Sequence, residues 1–281
     1  MHLVPGDPTD AILGEHALAA DKLALAESLG LNKPSYVQLY DYLKNALAGD
    51  FGKSLILNKP VTTLLLERLG PTFSLAMFAI LTALLISIPL GILSAIYARR
   101  WIDYSSMFIA LLGVAIPNFW LGPMLILLFS VQLNLLPVTD QIGIQSYILP
   151  SITLGTALSA ILMRMTRNSM LENLKQDYVR TARSKGLLEF DVITKHVLKN
   201  AGLPIVTIIG LQFGVLLTGT IITERIFDWP GLGTLMLEAL GNRDYPLIQG
   251  CVLFFSFIYI LVNLITDLCY GFLDPRINYD S

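Results

Sequence analysis

Residues 177–204 read DYVRTARSKGLLEFDVITKHVLKNAGLP. The stretch is polar and basic, yet uncharged runs long enough to cross a bilayer flank it. A connection that only reverses the chain needs a few residues. This one places Asp177 where a helix cap is expected and Gly186 where that helix should stop. Glu189 and Asp191 then precede Lys195 and Lys199, the order the helix dipole favours, so a second short amphipathic helix is expected. Two short helices hinged at a glycine would make a docking element.

Composition agrees with a membrane location. Apolar residues make up 54% of the chain, charged residues 14%, and mean hydropathy is +0.64. Globular domains carry about a quarter charged residues. The net charge of −2 decides little, because the signs are segregated along the chain. No basic stripe of the kind that binds nucleic acid is present.

Uncharged runs of bilayer-spanning length, roughly 20 residues, lie between Arg68 and Arg99, Asp103 and Asp140, Asp140 and Arg164, Lys199 and Glu224, and Asp244 and Asp267. The expected spans are 73–97, 106–132, 147–165, 203–223 and 246–270. Backbone groups in lipid must be satisfied internally, so helices or a closed barrel are the options. Runs this continuous exclude barrel strands, which alternate. The expected fold is therefore all-α and polytopic, with a long polar segment at 166–202 between two spans.

Lys and Arg in short loops set orientation. Eleven lie in the 99–100 loop, in or beside the Asp177 loop, and at Arg276, against two, Arg225 and Arg243, in the opposite loops. The Asp177 loop and the C-terminus are thus expected in the cytoplasm, with residues 1–72 outside as a helical region. In that region a helix is expected near 34–48. Gly49-Asp50-Phe51-Gly52-Lys53-Ser54 imitates the end of a phosphate-binding loop. Leu47 stands where that loop needs glycine and no buried strand precedes it, so a turn is expected.

No catalytic constellation is visible. His2, His16 and His196 lack zinc-ligand spacing. Cys251 and Cys269 fall about 27 Å apart along one expected helix and serve as small packing residues. Polar positions inside spans are Asn118, after the kink expected at Pro117, and Gln212, Thr218 and Thr220. They either line a pore or gate or hydrogen-bond between helices near Gly210, Gly214 and Gly219. In the outer loop, Phe227 and Trp229 suit the membrane interface. Pro230, Gly231 and Gly233 break the helix, and a short amphipathic helix follows.

Arg180-Thr181-Ala182, Arg183-Ser184-Lys185-Gly186 and His196-Val197-Leu198-Lys199-Asn200-Ala201 resemble the coupling loop of binding-protein-dependent ABC importer permeases, in their peptide and nickel branch. VPGDP, LGLNKP, GDFGKS, ILPSITLG, RMTRNSM, GLQFG, FDWPGLG, RDYP and DPRI extend the resemblance over nearly the whole chain. Arg180-Thr181-Ala182 replaces the EAA of importers at large, a departure that this branch shares.

The resemblance implies a permease of the inner membrane working by alternating access, without cofactor or enzymatic activity of its own. Implied partners are a second homologous permease subunit, two cytoplasmic ATP-binding subunits and an external solute-binding protein. Val179, Ala182 and Leu187 are expected to enter a groove on the ATPase, ringed by Arg180, Arg183 and Lys185. Dipeptides or oligopeptides are the expected cargo, with nickel complexes or glutathione as alternatives. The family also places a membrane helix just before VPGDP, so a span upstream of Met1 is expected; the other reading is a first span acting as signal anchor. An intramembrane enzyme would need a catalytic constellation, and a secondary transporter an inverted repeat. Neither explains the long basic loop.

Overall fold

The computed structural model of the chain describes residues 18–28, 32–138 and 143–273. VPGDP, His2, His16, part of LGLNKP, DPRI and Arg276 lie outside the described residues, as do the side chains of Thr218 and Cys269. Every named element among the described residues is helical, and Lys53 and Pro60 form an isolated antiparallel bridge.

Two compact units share the chain. The first comprises Met1–Thr72 with Pro230–Phe257. Its described part opens with α1 (Ala19–Ser28) and α2 (Ser35–Leu47), the latter matching the helix expected near 34–48. Gly49 and Gly52, at φ +82° and +86°, carry the chain through the GDFGKS turn. Helix α3 (Val61–Ile96) then begins, twelve residues earlier than the apolar run alone indicates. At about 1.5 Å per residue, its 36 residues exceed the ~30 Å hydrocarbon core. A helix does not stop where the membrane does, so Glu67 and Arg68 are carried on it.

The same unit takes in α11 (Leu232–Gly241) and the start of α12 (Tyr245–Leu273). Asp244, 1% exposed, organises it. Its carboxylate accepts from Ser54 Oγ at 2.5 Å, and from the backbone N–H of Leu55 at 3.3 Å, Ile56 at 3.4 Å and Leu247 at 3.3 Å. The serine of the false phosphate loop is thus committed to the RDYP segment. Leu232 N–H donates to Thr72 Oγ1 at 2.8 Å, tying α11 to α3.

The second unit comprises Phe73–Trp229 with Ile258–Ser281. Here α4 (Trp101–Ala115) and α5 (Asn118–Leu125), with its π extension Ile126–Gln132, replace the single span expected at 106–132. The two halves meet at 96°. Ile116 precedes Pro117 and is held extended, at φ −87° and ψ 115°, because proline disfavours a helical residue before it. Pro117 then caps the new helix, extended at φ −65° and ψ 140°, where its missing N–H costs nothing.

α6 (Gln145–Leu174) is the most buried element of this unit, with α4, α5 and α9 (Leu198–Gly219) packed on it. Gly155 is approached by Ala79 O and Thr82 so closely that a Cβ would sit 2.9 Å from each. α10 (Ile221–Ile226) packs on α5.

Among the described residues, four helical segments are long and apolar enough to cross a membrane, α3, α6, Glu189–Leu217 and Tyr245–Leu268, and the bent pair α4–α5 makes a fifth if it is one span. The all-α polytopic fold is present, with one span broken.

Candidate functional site at the basic turn

α7 (Asp177–Ser184) follows α6 after a short turn. Gln176, not Asp177, occupies its cap position, extended at φ −74° and ψ 150°. Asp177 is the first helical residue, still well placed for the helix dipole. Lys185 ends the helix and Gly186 lies beyond it at φ +77°. Its N–H bonds Arg183 O at 3.0 Å, so the glycine expected to stop the helix does so in the left-handed conformation that glycine adopts cheaply.

The second helix is not short. α8 (Glu189–Asp191) runs through a π stretch, Val192–Val197, into α9, with no break in the chain of helical residues. Lys195 pairs back to Asp191 at 2.7 Å rather than closing a helix end. Movement at Gly186 therefore bears directly on a membrane-spanning helix.

Val179 and Ala182 do not face outward. They are 0% and 5% exposed, in a cluster with Ala95 of α3, Met170 of α6, and Val192, Ile193, Val197 and Ala201. In a short polar helix the apolar side is the side that its own protein covers, so the expectation that both enter a groove on another protein is corrected. Ser169 Oγ reinforces the block by donating to Ala201 O at 3.1 Å. Tyr178 Oη donates to Asn173 Oδ1 at 2.8 Å.

What the turn presents outward is Leu187, Leu188 and Phe190, at 40%, 73% and 73% exposure. Leu187 was expected there. Leu188 and Phe190 were missed, although three apolar residues after a turn glycine in a polar loop are a signal that sequence can supply. Arg180, Thr181, Arg183 and Lys185 surround them, all exposed. Thr181 Oγ1 bonds back to Asp177 O at 3.0 Å, and Arg180 lies 3.7 Å from Asp177. Asn200 Nδ2 donates to His196 O at 2.8 Å, so both residues brace the helix leading away from the turn.

An ion pair on a buried carboxylate, also unforeseen, adjoins this block. Asp103, 2% exposed, receives Arg167 Nε and Nη2 at 2.7 Å each, Arg99 N–H at 2.8 Å, and Ser94 Oγ.

The polar positions considered for a pore fall on different elements. Asn118 opens α5 and Gln212 lies on α9, both half-buried. Thr220 is buried between α9 and α10, and its Oγ1 donates to Glu224 Oε1 at 2.9 Å. Glu224 is itself 0% exposed. α10 packs on α5, with Gly122 against Ile226 and Phe227.

In the loop after α10, Trp229 is 4% exposed and Phe227 2%. Trp229 stacks edge-on against Tyr147, centroids 4.7 Å apart, and Tyr147 in turn meets Phe78 at 4.5 Å. The two rings are core, not the interfacial anchors expected. Pro230 is half-buried, Gly231 precedes α11, and Gly233 is buried within it. Among the described residues, no three or more His, Cys, Asp or Glu stand together to hold a metal ion.

Residues 87–279 match the family described as "binding-protein-dependent transport system inner membrane component". The chain is 44% identical over 279 residues to the glutathione transport system permease protein GsiC of Escherichia coli strain K12, covering 99% of this chain and 91% of that protein. It is 43% identical to the protein of the same name in Salmonella typhi, with the same coverage. Among solved structures, an inward-facing form of the MetNI methionine ABC transporter aligns with TM-score 0.62 at 16% identity, over 75% of this chain and 96% of that one. An amino acid ABC transporter with histidines aligns with TM-score 0.57 at 15% identity, over 74% and 94%. At such identities these two likenesses speak for the fold alone.

Proposed function

Because the chain belongs to the family of binding-protein-dependent transport system inner membrane components, and is thus a permease subunit of an ABC importer rather than an enzyme, we propose that it forms one half of an import path for short peptides. The other half is a second, homologous permease subunit. Two ATP-binding subunits sit on the cytoplasmic side, where the basic turn and the C-terminus lie. An external solute-binding protein delivers cargo to the opposite face, above the region 1–72.

One observation carries the coupling reading. The turn at Gly186 shows Leu187, Leu188 and Phe190 to solvent while a buried cluster fixes its inner side to α3, α6 and α9. An apolar tip on a braced base suits a groove on the ATPase. When the ATPase subunits close on ATP, the tip is carried with them. The base follows because close-packed interiors transmit displacement rather than absorb it. The outer ends of the spans then exchange access between the two faces.

The cargo reading rests on likeness to a glutathione permease over almost the whole chain. That likeness favours glutathione, the alternative cargo named above, over dipeptides or longer oligopeptides; glutathione is a tripeptide, so both readings share short-peptide chemistry. The test is uptake by the full complex in proteoliposomes, with labelled glutathione, a dipeptide and a nickel chelate offered in turn. ATP-dependent uptake of either peptide is expected. Uptake of the nickel chelate alone would overturn the cargo class.

A further inference from the structure

The Asp103–Arg167 pair, its carboxylate 2% and its arginine side chain 19% exposed, lies at the joint between α4 and the coupling block. Asp103 Oδ1 accepts from Ser94 Oγ and Arg167 Nε, and Oδ2 accepts from Arg99 N–H and Arg167 Nη2. Four donors on one buried carboxylate leave little of its capacity unused. Buried ion pairs are weak sources of stability, since desolvation offsets their attraction. A planar guanidinium on a carboxylate supplies direction instead, because two parallel bonds fix the relative orientation of the two side chains.

Each partner adjoins the coupling block. Ser94 immediately precedes Ala95, and Arg167 lies one helical turn before Met170; Ala95 and Met170 both belong to the buried cluster that holds Val179 and Ala182. Asp103 itself sits in the first turn of α4. Deeper along the same helices, α4 meets α6 through Ala110, Ala160 and Met163, and through Gly113 against Thr156. Those contacts are apolar or small, the kind along which helices shift past one another. The ion pair is the directional contact that fixes their register.

We infer that Asp103 and Arg167 are positioning residues for coupling: their bidentate pair fastens α4 to the block that carries the Gly186 turn. Displacement of that turn then reaches the 96° bend at Ile116–Pro117 instead of being lost to sliding between α4 and α6. The inference rests on the coupling reading above. It gives Arg167 a task that a basic membrane anchor does not have, since an anchor turns its guanidinium to lipid phosphates and this one turns inward.

Two variants separate positioning from stability. Arg167→Lys keeps the charge and removes the fork. The double variant D103N/R167M leaves no buried charge and so avoids the penalty of an orphaned ion. Each is assembled with its ATPase subunits and binding protein in proteoliposomes, and insertion, basal ATP hydrolysis and cargo imported per ATP are read on the inserted fraction. Insertion and basal hydrolysis are expected to stay near wild type. Cargo per ATP is expected to fall about two- to thirty-fold, the span of coupling changes that such substitutions produce. Wild-type cargo per ATP in both variants would overturn the inference, whether or not less protein inserts. Hydrolysis without any uptake by the unmodified complex would instead defeat the coupling reading itself, and this inference with it.

Discussion

Arg183 and Glu189 face each other across Gly186, with Nη2 2.6 Å from Oε1 and Nε 3.1 Å from Oε2. Both side chains are about half exposed, 44% and 56%, so the pair adds at most about 1 kcal/mol to stability. Its effect is geometric. It closes the turn from outside while Val179 and Val192 close it from inside, and Arg183 is spent on its own chain rather than offered to a partner. Arg180 and Lys185 remain as the outward charges.

Gly186 sits at φ +77° with open space where a Cβ would be. The obstacle to substitution there is backbone conformation, not crowding. A non-glycine residue in the left-handed region costs about 1–2 kcal/mol, and asparagine less than others. Gly186→Val is expected to insert normally, lose uptake and uncouple or release the ATPase subunits. Gly186→Asn should retain most uptake. Equal, wild-type transport by both would show that the turn is a plain connector.

Leu188 and Phe190 against Val179 make a second contrast. Burying a leucine or phenylalanine at an interface is worth about 1.5–3 kcal/mol, so Leu188→Ser or Phe190→Ser should weaken ATPase association roughly 10- to 150-fold without lowering the thermal stability of the permease. Val179→Ala should do the reverse, costing about 2 kcal/mol of fold stability through the cavity left beside Met170. Thermal unfolding in detergent and co-purification of the ATPase separate the two. Loss of stability in Leu188→Ser would mean that the tip belongs to the core.

Much of this was legible in the residues. Long uncharged runs fixed an all-α membrane protein because lipid allows few alternatives, and Pro117 marked a kink, though not that the span would divide there into two helices at 96°. Helix ends were not legible, since nothing in a sequence stops a helix at the bilayer edge: α3 starts at Val61 although Arg68 interrupts the apolar run. The turn at Gly186 was readable from glycine chemistry. Its inside and outside were not, because Val179 and Ala182 show a buried face only once α3, α6 and α9 supply the other side. Asp103 and Arg167 are separated by 64 positions, and sequence does not say which charge finds which.

The charge asymmetry of the loops, eleven basic residues against two, predicts a cytoplasmic C-terminus. A fluorescent protein fused to the C-terminus should be bright and an alkaline phosphatase fusion inactive. The opposite pattern would invert the topology and place the Gly186 turn away from the ATPase.

The clasp on Asp244 predicts a graded series in the first unit. Asp244→Ala leaves four donors to find water or go unpaired, Ser54 Oγ and the N–H groups of Leu55, Ile56 and Leu247, at about 1–3 kcal/mol for each one that stays buried. Ser54→Ala removes one of these donors and the acceptor of Leu57 N–H at 2.9 Å, and should cost about 1–3 kcal/mol, less than Asp244→Ala. Limited proteolysis of the 49–60 turn reports the difference. Equal resistance in both variants would mean that Asp244 does not hold the turn.

Helix α9 supplies the last contrast, between two of its own glycines. Gly210 faces Thr266 of α12 so closely that a Cβ would overlap the threonine's Oγ1 and Cγ2, and one turn on, Gly214 lies against Tyr259 and Val262. Small residues one turn apart let membrane helices approach to backbone contact. A Cβ on Gly202, by contrast, would meet open space. Gly210→Ala must therefore push α12 away or rotate Thr266, at about 1–3 kcal/mol. Gly202→Ala meets no obstacle and stiffens the unfolded chain, which should stabilise the helix by about 0.4–1 kcal/mol. Thermal unfolding of the two single variants in detergent should move in opposite directions from wild type. A Gly210→Ala protein as stable as wild type would mean that α9 and α12 do not cross at Gly210, and that the close approach to Thr266 is not part of the folded permease.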